Sequence, residues 1–141
     1  MMRLQLALNV PDLTAAVDFY SRLFGVQVAK TKPGYANFEI SQPPLKLVLF
    51  ETDAPQDRLN HLGVEVFDDA EVEAAATNQR NAGLAVEMSD KEGCCFAVQN
   101  KAVTYAPDGT MWEWYRKLED LEGFADSAAA PATPASGLGC C

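Results

Sequence analysis

The stretch "QLALNVPDLTAAVDFYSRLFG", residues 5–25, decides the first half of the fold. Its opening residues alternate between apolar and polar or small side chains, which is the period of a β-strand. Pro11 and Asp12 then open a helix, and we expect the acid in its first turn. Gly25 ends that helix, as a C-terminal glycine commonly does. Apolar residues line one face of the helix at helical spacing: Leu13, Val17, Tyr20 and Phe24.

A second stretch, "HLGVEVFDDAEVEAAATNQRNAG" at residues 61–83, repeats this organisation. It again begins with strand alternation. Acids at Asp68, Asp69 and Glu71 open its helix, and Gly83 closes it. Internal repeats of this size govern the architecture of a chain, so the two halves are expected to fold alike.

Three short strands are predicted to follow each helix. In the first half they are "VQVAK", "YANFEI" and "LKLVLFE"; in the second they are "LAVEM", the stretch around "KAVTYA", and "TMWEWYRK". "PDG", residues 107–109, predicts the hairpin turn before the last strand. Each half therefore reads βαβββ, and the fold class is α+β. We predict one domain at 1–119, with modules at about 3–52 and 60–117.

The segment 120–141 differs in composition from the rest of the chain. Ala, Pro, Ser and Gly dominate it, and it has too few apolar side chains to offset the entropy of ordering. We predict a disordered tail. A flexible segment of this length has a root-mean-square span of about 25 Å, which brings its end within reach of most of a small domain.

Overall composition restricts the environment and the partners. The 141 residues carry a formal net charge of −9, which disfavours nucleic acid and anionic membranes as partners. No apolar run approaches the ~20 residues that span a bilayer. The N-terminus has no signal-peptide pattern. We therefore expect a cytoplasmic protein with reduced thiols.

The four cysteines form two adjacent pairs, Cys94–Cys95 and Cys140–Cys141. Adjacent Cα atoms lie about 3.8 Å apart, whereas disulfides favour roughly 4.4–6.8 Å, so a bridge within either pair would be strained. Two neighbouring thiolates instead suit one soft, thiophilic atom. A chance pair of small hydrophobic residues is the alternative for the internal pair.

Alignment of the repeats places Gln5 on His61, the single histidine of the chain. Both open the first strand of a module, on the face opposite the Leu/Val side chains, and both can ligate a metal. A buried, hydrogen-bonded histidine with no ligand is the alternative for His61.

Glu113 in "MWEWY" is the third candidate, on the strand face opposite Trp112 and Trp114. The strand pattern by itself favours a solvated face for this carboxylate. In a polar cleft it would complete a set of one amide, one imidazole and one carboxylate. Three ligands leave coordination positions open, as a catalytic site requires. Such a set resembles the facial triad that holds Fe(II) for O₂ chemistry, and it also fits Zn, Ni, Co or Mn.

Two βαβββ modules, with these ligands on the first strand of each and on the final strand, resemble the vicinal oxygen chelate superfamily. That superfamily includes glyoxalase I, extradiol dioxygenases and bleomycin-resistance proteins. "LNVPDLTAAVDFYSRLFG" and "APDGTMWEWY" carry the resemblance, which covers residues 3 to about 117. It implies the glyoxalase-like fold.

"KPGYANFEI", "PPLKLVLFE", "LNHLGVEV" and "CCFAVQNKA" are more closely similar to the ArsI family of C–As lyases, which includes CadI proteins. The resemblance implies a non-haem Fe(II) dioxygenase that converts trivalent organoarsenicals such as methylarsenite into arsenite, with O₂ as co-substrate. It implies Gln5, His61 and Glu113 as metal ligands and Cys94 and Cys95 as substrate ligands. By the same resemblance, Cys140 and Cys141 are candidates for substrate capture, and a homodimer is one assembly that it allows.

Two other functions compete with this reading. One is a thiophilic-metal buffer that sequesters cadmium or arsenic through the four thiols. The other is a glyoxalase or extradiol dioxygenase reaction, for which Cys94 and Cys95 have no role. The lyase reading needs both the thiols and His61, and it expects the segment carrying Cys94 and Cys95 to lie over the cleft that holds His61.

Overall fold

The computed structural model describes residues 2–94 and 97–120, without the side chains of residues 91–94 and 120. Within this part, each half of the chain has the predicted βαβββ order. The chain forms two compact units: the first unit is Arg3–Leu62, and the second unit runs from Gly63 onward together with Met2. Among the described residues, no helix is both long enough and apolar enough to cross a membrane.

The first half contains β1 (Met2–Val10), α1 (Leu13–Phe24), β2 (Lys30–Lys32), β3 (Tyr35–Ile40) and β4 (Leu45–Glu51). The second half contains β5 (Leu59–Val66), α2 (Asp69–Asn81), β6 (Glu87–Cys94), β7 (Ala97–Tyr105) and β8 (Met111–Asp120). β5 begins in the first unit and continues in the second.

Helix α1 is bounded by Asp12 and Gly25, the two residues that the sequence marked as its ends. The Asp12 side chain accepts a hydrogen bond from the Ala15 backbone N–H at 3.0 Å, so it satisfies one of the unpaired donors of the first turn. Asp12 is therefore the N-cap, and the prediction that it lies inside the first turn was wrong by one position. Gly25 adopts the left-handed conformation, with φ 66°, that ends the helix.

The first unit has the strand order β2-β3-β4-β1, with β1 parallel to β4 and the other pairs antiparallel. Alternation along each strand sends one set of side chains toward α1. Six of these are buried: Ala36, Phe38, Ile40, Leu45, Leu47 and Leu49. The predicted apolar face of α1 packs against them, together with three residues of β1: Leu6, Leu8 and Val10.

The second unit has an antiparallel run of three strands in the order β8-β7-β6. Among its described residues, the core cluster beneath α2 is smaller: Val66, Val72, Ala76 and Ala102 are buried, with Val64, Val86 and Trp114 packed against them. Helix α2 begins at the Asp68 N-cap, with Asp69 and Glu71 in its first turn, as predicted. Gly83, with φ 86°, follows the C-cap residue.

Three predicted strands differ in extent from the structure. β2 covers only Lys30–Lys32, because the valines of "VQVAK" pack against the first core instead of joining the ladder. β6 starts at Glu87, since the Leu84 N–H is used to bond the Gln79 carbonyl at the end of α2. β8 runs on to Asp120, past the predicted domain end. The rest of the predicted tail, residues 121–141, lies outside the described residues.

Candidate metal centre

Gln5 and His61 lie side by side within the first unit. Gln5 is on β1 and His61 on β5, and their relative exposures are 0% and 1%. The Gln5 Nε2 atom lies 3.3 Å from the His61 Nε2 atom. The structure therefore brings together the two residues that the repeat alignment paired.

Strand alternation explains why Gln5 faces this way. Its neighbours Leu6 and Leu8 pack against the α1 core, so the odd-numbered residues of β1 point to the opposite face. Ala7, two residues from Gln5, is fully buried on that face. The Cα partner of Gln5 on β4 is Lys46, whose exposure is only 3%. Gln5 thus lies on the face opposite the helix, as the alternation predicted, and the structure shows that this part of the face is buried.

His61 is held from its other ring nitrogen. Its Nδ1 atom lies 2.8 Å from the Asn60 Oδ1 atom, and an amide oxygen can only accept. In the neutral ring, a hydrogen bond between these atoms requires the proton on Nδ1 and leaves the lone pair on Nε2, the nitrogen beside Gln5. A neutral imidazole with its lone pair directed at a second ligand atom is the form that binds metals.

The Gln5 amide supplies a direct test of whether the pair fits a metal. Its Oε1 atom is buried and has no hydrogen-bond partner among the described residues. A buried polar atom without a partner costs about 1–3 kcal/mol, so natural proteins rarely keep one without a reason. A half-turn of the amide places Oε1 where Nε2 now stands, beside His61. Ligands bonded at about 2.0–2.2 Å have neighbouring atoms roughly 3 Å apart, so the 3.3 Å spacing fits a shared cation.

Glu113 lies on β8 in the second unit and is fully buried. Trp114, the next residue, packs on the α2 core, so Glu113 faces the opposite side of its strand. The interpretation that the strand pattern favoured, a solvated face, was wrong, because the alternation specifies the face and not what covers it. The Lys101 ammonium lies 3.9 Å from Glu113 Oε2, close enough for an ion pair and too far for a hydrogen bond.

The structure thus brings two of the three predicted ligands together and describes the third within the other unit. Within residues 2–94 and 97–120, no group of three or more His, Cys, Asp or Glu side chains is placed to hold a metal. The predicted set contains only one histidine and one glutamate, its third member being an amide. The joint role of Gln5, His61 and Glu113 therefore stays a prediction.

Sequence reasoning overlooked other polar side chains in the second unit. Lys101 and Tyr115 are Cα partners, as are Val103 and Glu113, so these residues share one face of β7 and β8. Gln99 lies on that face too, with 0% exposure, and both its amide atoms lack a hydrogen-bond partner among the described residues. Counting back across the hairpin from Glu113 would have found Lys101 and Gln99.

The cysteine predictions fall mostly beyond what is described. Cys94 is the last residue of β6, and its Cα partner is Ala97 on β7. Its side chain is not among those described, and Cys95, Cys140 and Cys141 lie outside the described residues. The expected placement of Cys94 and Cys95 over the cleft of His61 stays a prediction.

The clearest electrostatic effect in the second unit lies away from these ligands. A hydrogen bond from the Asn100 amide, at 2.9 Å, lowers the pKa of Asp69, and a second bond from Arg116 lowers it further. The Asp69 carboxylate is exposed, and it connects the start of α2 to β7 and β8. This arrangement secures the helix start and has no counterpart in the predicted ligand set.

Comparison with known proteins defines the class. The family model of the Glyoxalase/Bleomycin resistance protein/Dioxygenase superfamily matches residues 4–114, so the chain belongs to that superfamily. The Mn(II)-bound glyoxalase from Novosphingobium aromaticivorans has the same fold, with a TM-score of 0.60 at 16% identity over 86% of this chain and 42% of that one.

Within the superfamily, the chain belongs with two groups of curated relatives. It is 52% identical over 124 residues to the cadmium-induced protein CadI of Mycobacterium tuberculosis, covering 88% of this chain and 82% of the relative. It is 48% identical over 152 aligned positions to the trivalent organoarsenical cleaving enzyme of Thermomonospora curvata, covering 100% of both chains. The resemblance inferred from the sequence is confirmed.

Proposed function

We propose that this protein is a non-haem Fe(II)-dependent dioxygenase that cleaves the C–As bond of trivalent organoarsenicals, so that it confers organoarsenical resistance in the cytoplasm. The full-length similarity to the trivalent organoarsenical cleaving enzyme of Thermomonospora curvata supports the substrate class. One structural observation carries the metal-dependent part: Gln5 and His61 meet in a buried site, and the Gln5 Oε1 atom has no hydrogen-bond partner among the described residues.

Gln5, His61 and Glu113 are the proposed ligands of the metal. The set is neutral amide, neutral imidazole and anionic carboxylate, which suits Fe(II) and also accommodates Ni, Co, Zn or Mn. When bound, the metal supplies the activation of O₂ that protein side chains cannot perform. The chain contributes the buried setting and the orientation of the ligands.

Cys94 and Cys95 are the proposed substrate ligands. A methylarsenite has one As–C bond and two positions open to thiolates, so a pair of sulfurs saturates it. Binding through both thiolates fixes the direction of the carbon substituent, which lowers the entropic part of the barrier. Cys140 and Cys141 would capture substrate first, since a tether raises its local concentration.

The proposed reaction balances without an external reductant. Methylarsenite, CH₃As(OH)₂, and O₂ together contain the atoms of arsenite, As(OH)₃, and formaldehyde. Arsenic stays trivalent, and the carbon supplies all the electrons that O₂ takes up. We therefore expect one O₂ consumed for each arsenite released.

The test is to load the metal-free full chain with Fe(II) under anaerobic conditions, add methylarsenite, and admit air. Arsenic speciation should show arsenite, and an oxygen electrode should show the matching uptake. Cys94→Ser/Cys95→Ser should abolish product, while Cys140→Ser/Cys141→Ser, the matched double variant, should slow it only at low substrate. Fully loaded protein that releases no arsenite would falsify the proposal.

The four cysteines favour a second candidate, a protein that sequesters cadmium or arsenic through its thiols, and a relative of this chain is named for its induction by cadmium. The two functions differ in their need for His61. In a sequestration protein, His61→Ala leaves cadmium or arsenite binding unchanged and no turnover exists to lose. In the lyase, the same variant binds arsenic but releases no arsenite, so the two readouts separate the functions.

A further inference from the structure

We propose that Asn9 and Asn60 form an amide relay that holds His61 in the one tautomer able to bind a metal through Nε2. The relay lies wholly within the first unit. It makes both asparagines positioning residues, acting through His61 and not on substrate. The inference about metal binding rests on the proposed metal site, whereas the tautomer itself does not.

The relay begins at a backbone carbonyl, and this carbonyl sets the direction in which each amide donates its hydrogen bond. The Asn9 Nδ2 atom donates to the Asp57 carbonyl oxygen at 2.9 Å. A carbonyl can only accept, so the Asn9 amide must present its nitrogen there and its oxygen on the other side. The Asn9 backbone N–H also donates to the Arg58 carbonyl at 2.7 Å. Two bonds therefore tie the end of β1 to the segment that leads into β5.

The same direction of donation holds at each following amide. The Asn60 Nδ2 atom donates to Asn9 Oδ1 at 2.9 Å, so Asn60 must present its own oxygen toward His61. That oxygen lies 2.8 Å from His61 Nδ1. Only a protonated Nδ1 can donate to it, and the lone pair of the neutral ring is then on Nε2. The other tautomer would place a lone pair against the amide oxygen.

The assignment of amide nitrogen and oxygen atoms is usually ambiguous, because they differ little in shape. Here the Asp57 carbonyl removes the ambiguity, since reversing any one amide would place two acceptors or two donors against each other. In the metal-free protein the Gln5 end of the chain of hydrogen bonds agrees, because Gln5 Nε2 lies 3.3 Å from His61 Nε2 and can donate to its lone pair. The half-turn that brings Gln5 Oε1 beside His61 applies to the metal-bound state alone. Outer hydrogen bonds of this kind fix the orientation of metal-binding histidines.

The first test reads the tautomer directly. His61 is the single histidine, so the ¹⁵N ring signals of the untagged, metal-stripped chain need no assignment. At a pH about two units above the ordinary imidazole pKa, long-range ¹H–¹⁵N spectra should show the Nδ1–H form. The Nε2–H form in the unmodified protein would overturn the relay, and this measurement requires no variant to fold.

The second test changes the relay at a distance. Asn9→Ala leaves the Asn60 side chain beside His61 but removes the acceptor that fixes the orientation of the Asn60 amide. Both tautomers of His61 should therefore appear. Asn60→Ala removes the acceptor itself, and Asn60→Asp restores one, so the aspartate variant should recover the Nδ1–H signal. Asn100→Ala, which removes an amide bonded to Asp69 in the second unit, is the matched control and should match the unmodified protein.

The third test measures Co(II) binding by titration calorimetry and by the visible spectrum of the bound ion. Asn60→Ala should raise the dissociation constant by about 10–100-fold, and Asn9→Ala by the low end of that range. Asn9→Ala with an unchanged tautomer and unchanged affinity overturns the inference, as does Asn60→Asp behaving like Asn60→Ala. A protein that shows the expected tautomers but binds no Co(II) contradicts the metal site and leaves the relay standing.

Discussion

The two units share an element order and differ in what each face of the sheet carries. In the first unit, α1 covers six buried apolar side chains, and the opposite face holds a neutral pair, Gln5 and His61. In the described part of the second unit, the core cluster beneath α2 has four buried residues, and the opposite face holds a charged pair, Lys101 and Glu113. The helix-facing side is apolar in both units, whereas the opposite side differs in chemistry between them. A duplicated scaffold can therefore supply different ligands from equivalent strands.

The sharpest contrast concerns the two cores. Phe38, fully buried in the first unit, should cost about 3–5 kcal/mol of unfolding free energy when changed to Ala. Val72→Ala in the second unit should cost about 2 kcal/mol, because it removes fewer buried carbon atoms than Phe38→Ala does. Urea unfolding of the two metal-free variants measures the difference. Equal losses would mean that the second core is better packed than its size indicates.

Removing one charge of the Lys101–Glu113 pair should lower the unfolding free energy more than removing both charges does. Glu113→Gln keeps the shape of the side chain but removes the carboxylate beside the buried Lys101, and we expect a loss of about 3 kcal/mol. Glu113→Gln/Lys101→Met should recover most of it, since both charges are then gone. Glu119→Gln, an exposed glutamate on the same strand, is the control. A single variant as stable as the unmodified protein would show that the pair contributes little.

The first unit contains one glutamine with a buried atom that lacks a partner among the described residues, Gln5, and the second unit contains two, Gln79 and Gln99. Gln99→Leu removes two such atoms and should raise the unfolding free energy of the metal-free protein by about 1 kcal/mol. It should leave Co(II) affinity unchanged, whereas Gln5→Leu should abolish it. Denaturation and titration of the same two variants distinguish a spare buried amide from a metal ligand. Loss of stability in Gln99→Leu would show that the amide has a partner.

The smallest expected effect is the pH dependence carried by Asp69. Because hydrogen bonds from Asn100 and Arg116 lower the pKa of Asp69, its contribution to stability is present above the ordinary value of 3.8 and is lost as the pH falls through the lowered value. Asp69→Asn should therefore be slightly less stable at neutral pH and should converge with the unmodified protein in acid. Thermal unfolding across that range is the measurement, and a gap that widens in acid would contradict the assignment.

Much of the fold could be predicted from local signals. The alternation in β1, the start of α1 within one position of Asp12 and its end at Gly25 follow from the conformational preferences of a few neighbouring residues. The ends of β2 and β6 could not, because they depend on which backbone groups find partners elsewhere. The Leu84 N–H, for example, bonds the end of α2 and so delays the start of β6.

The candidate site was likewise predictable from the sequence only in part. The repeat alignment alone paired Gln5 with His61, since equivalent positions on equivalent strands face the same way. The relay through Asn9 and Asn60 was invisible, because it depends on a carbonyl at Asp57 that is close only in space. The burial of Glu113 was also beyond the pattern, since alternation cannot say what covers a face.

The sequence by itself thus determined the βαβββ repeat, the helix ends, the side of the sheet on which the ligand candidates lie, and the family. These depend on backbone preferences and on the period of apolar residues, which act over a few positions. Only the tertiary structure decided that Gln5 Oε1 has no partner among the described residues, that Glu113 is buried beside Lys101, and that His61 Nδ1 lies beside the Asn60 amide oxygen. Hydrogen-bond partners and burial are set by groups far apart in the chain, so no local pattern contains them.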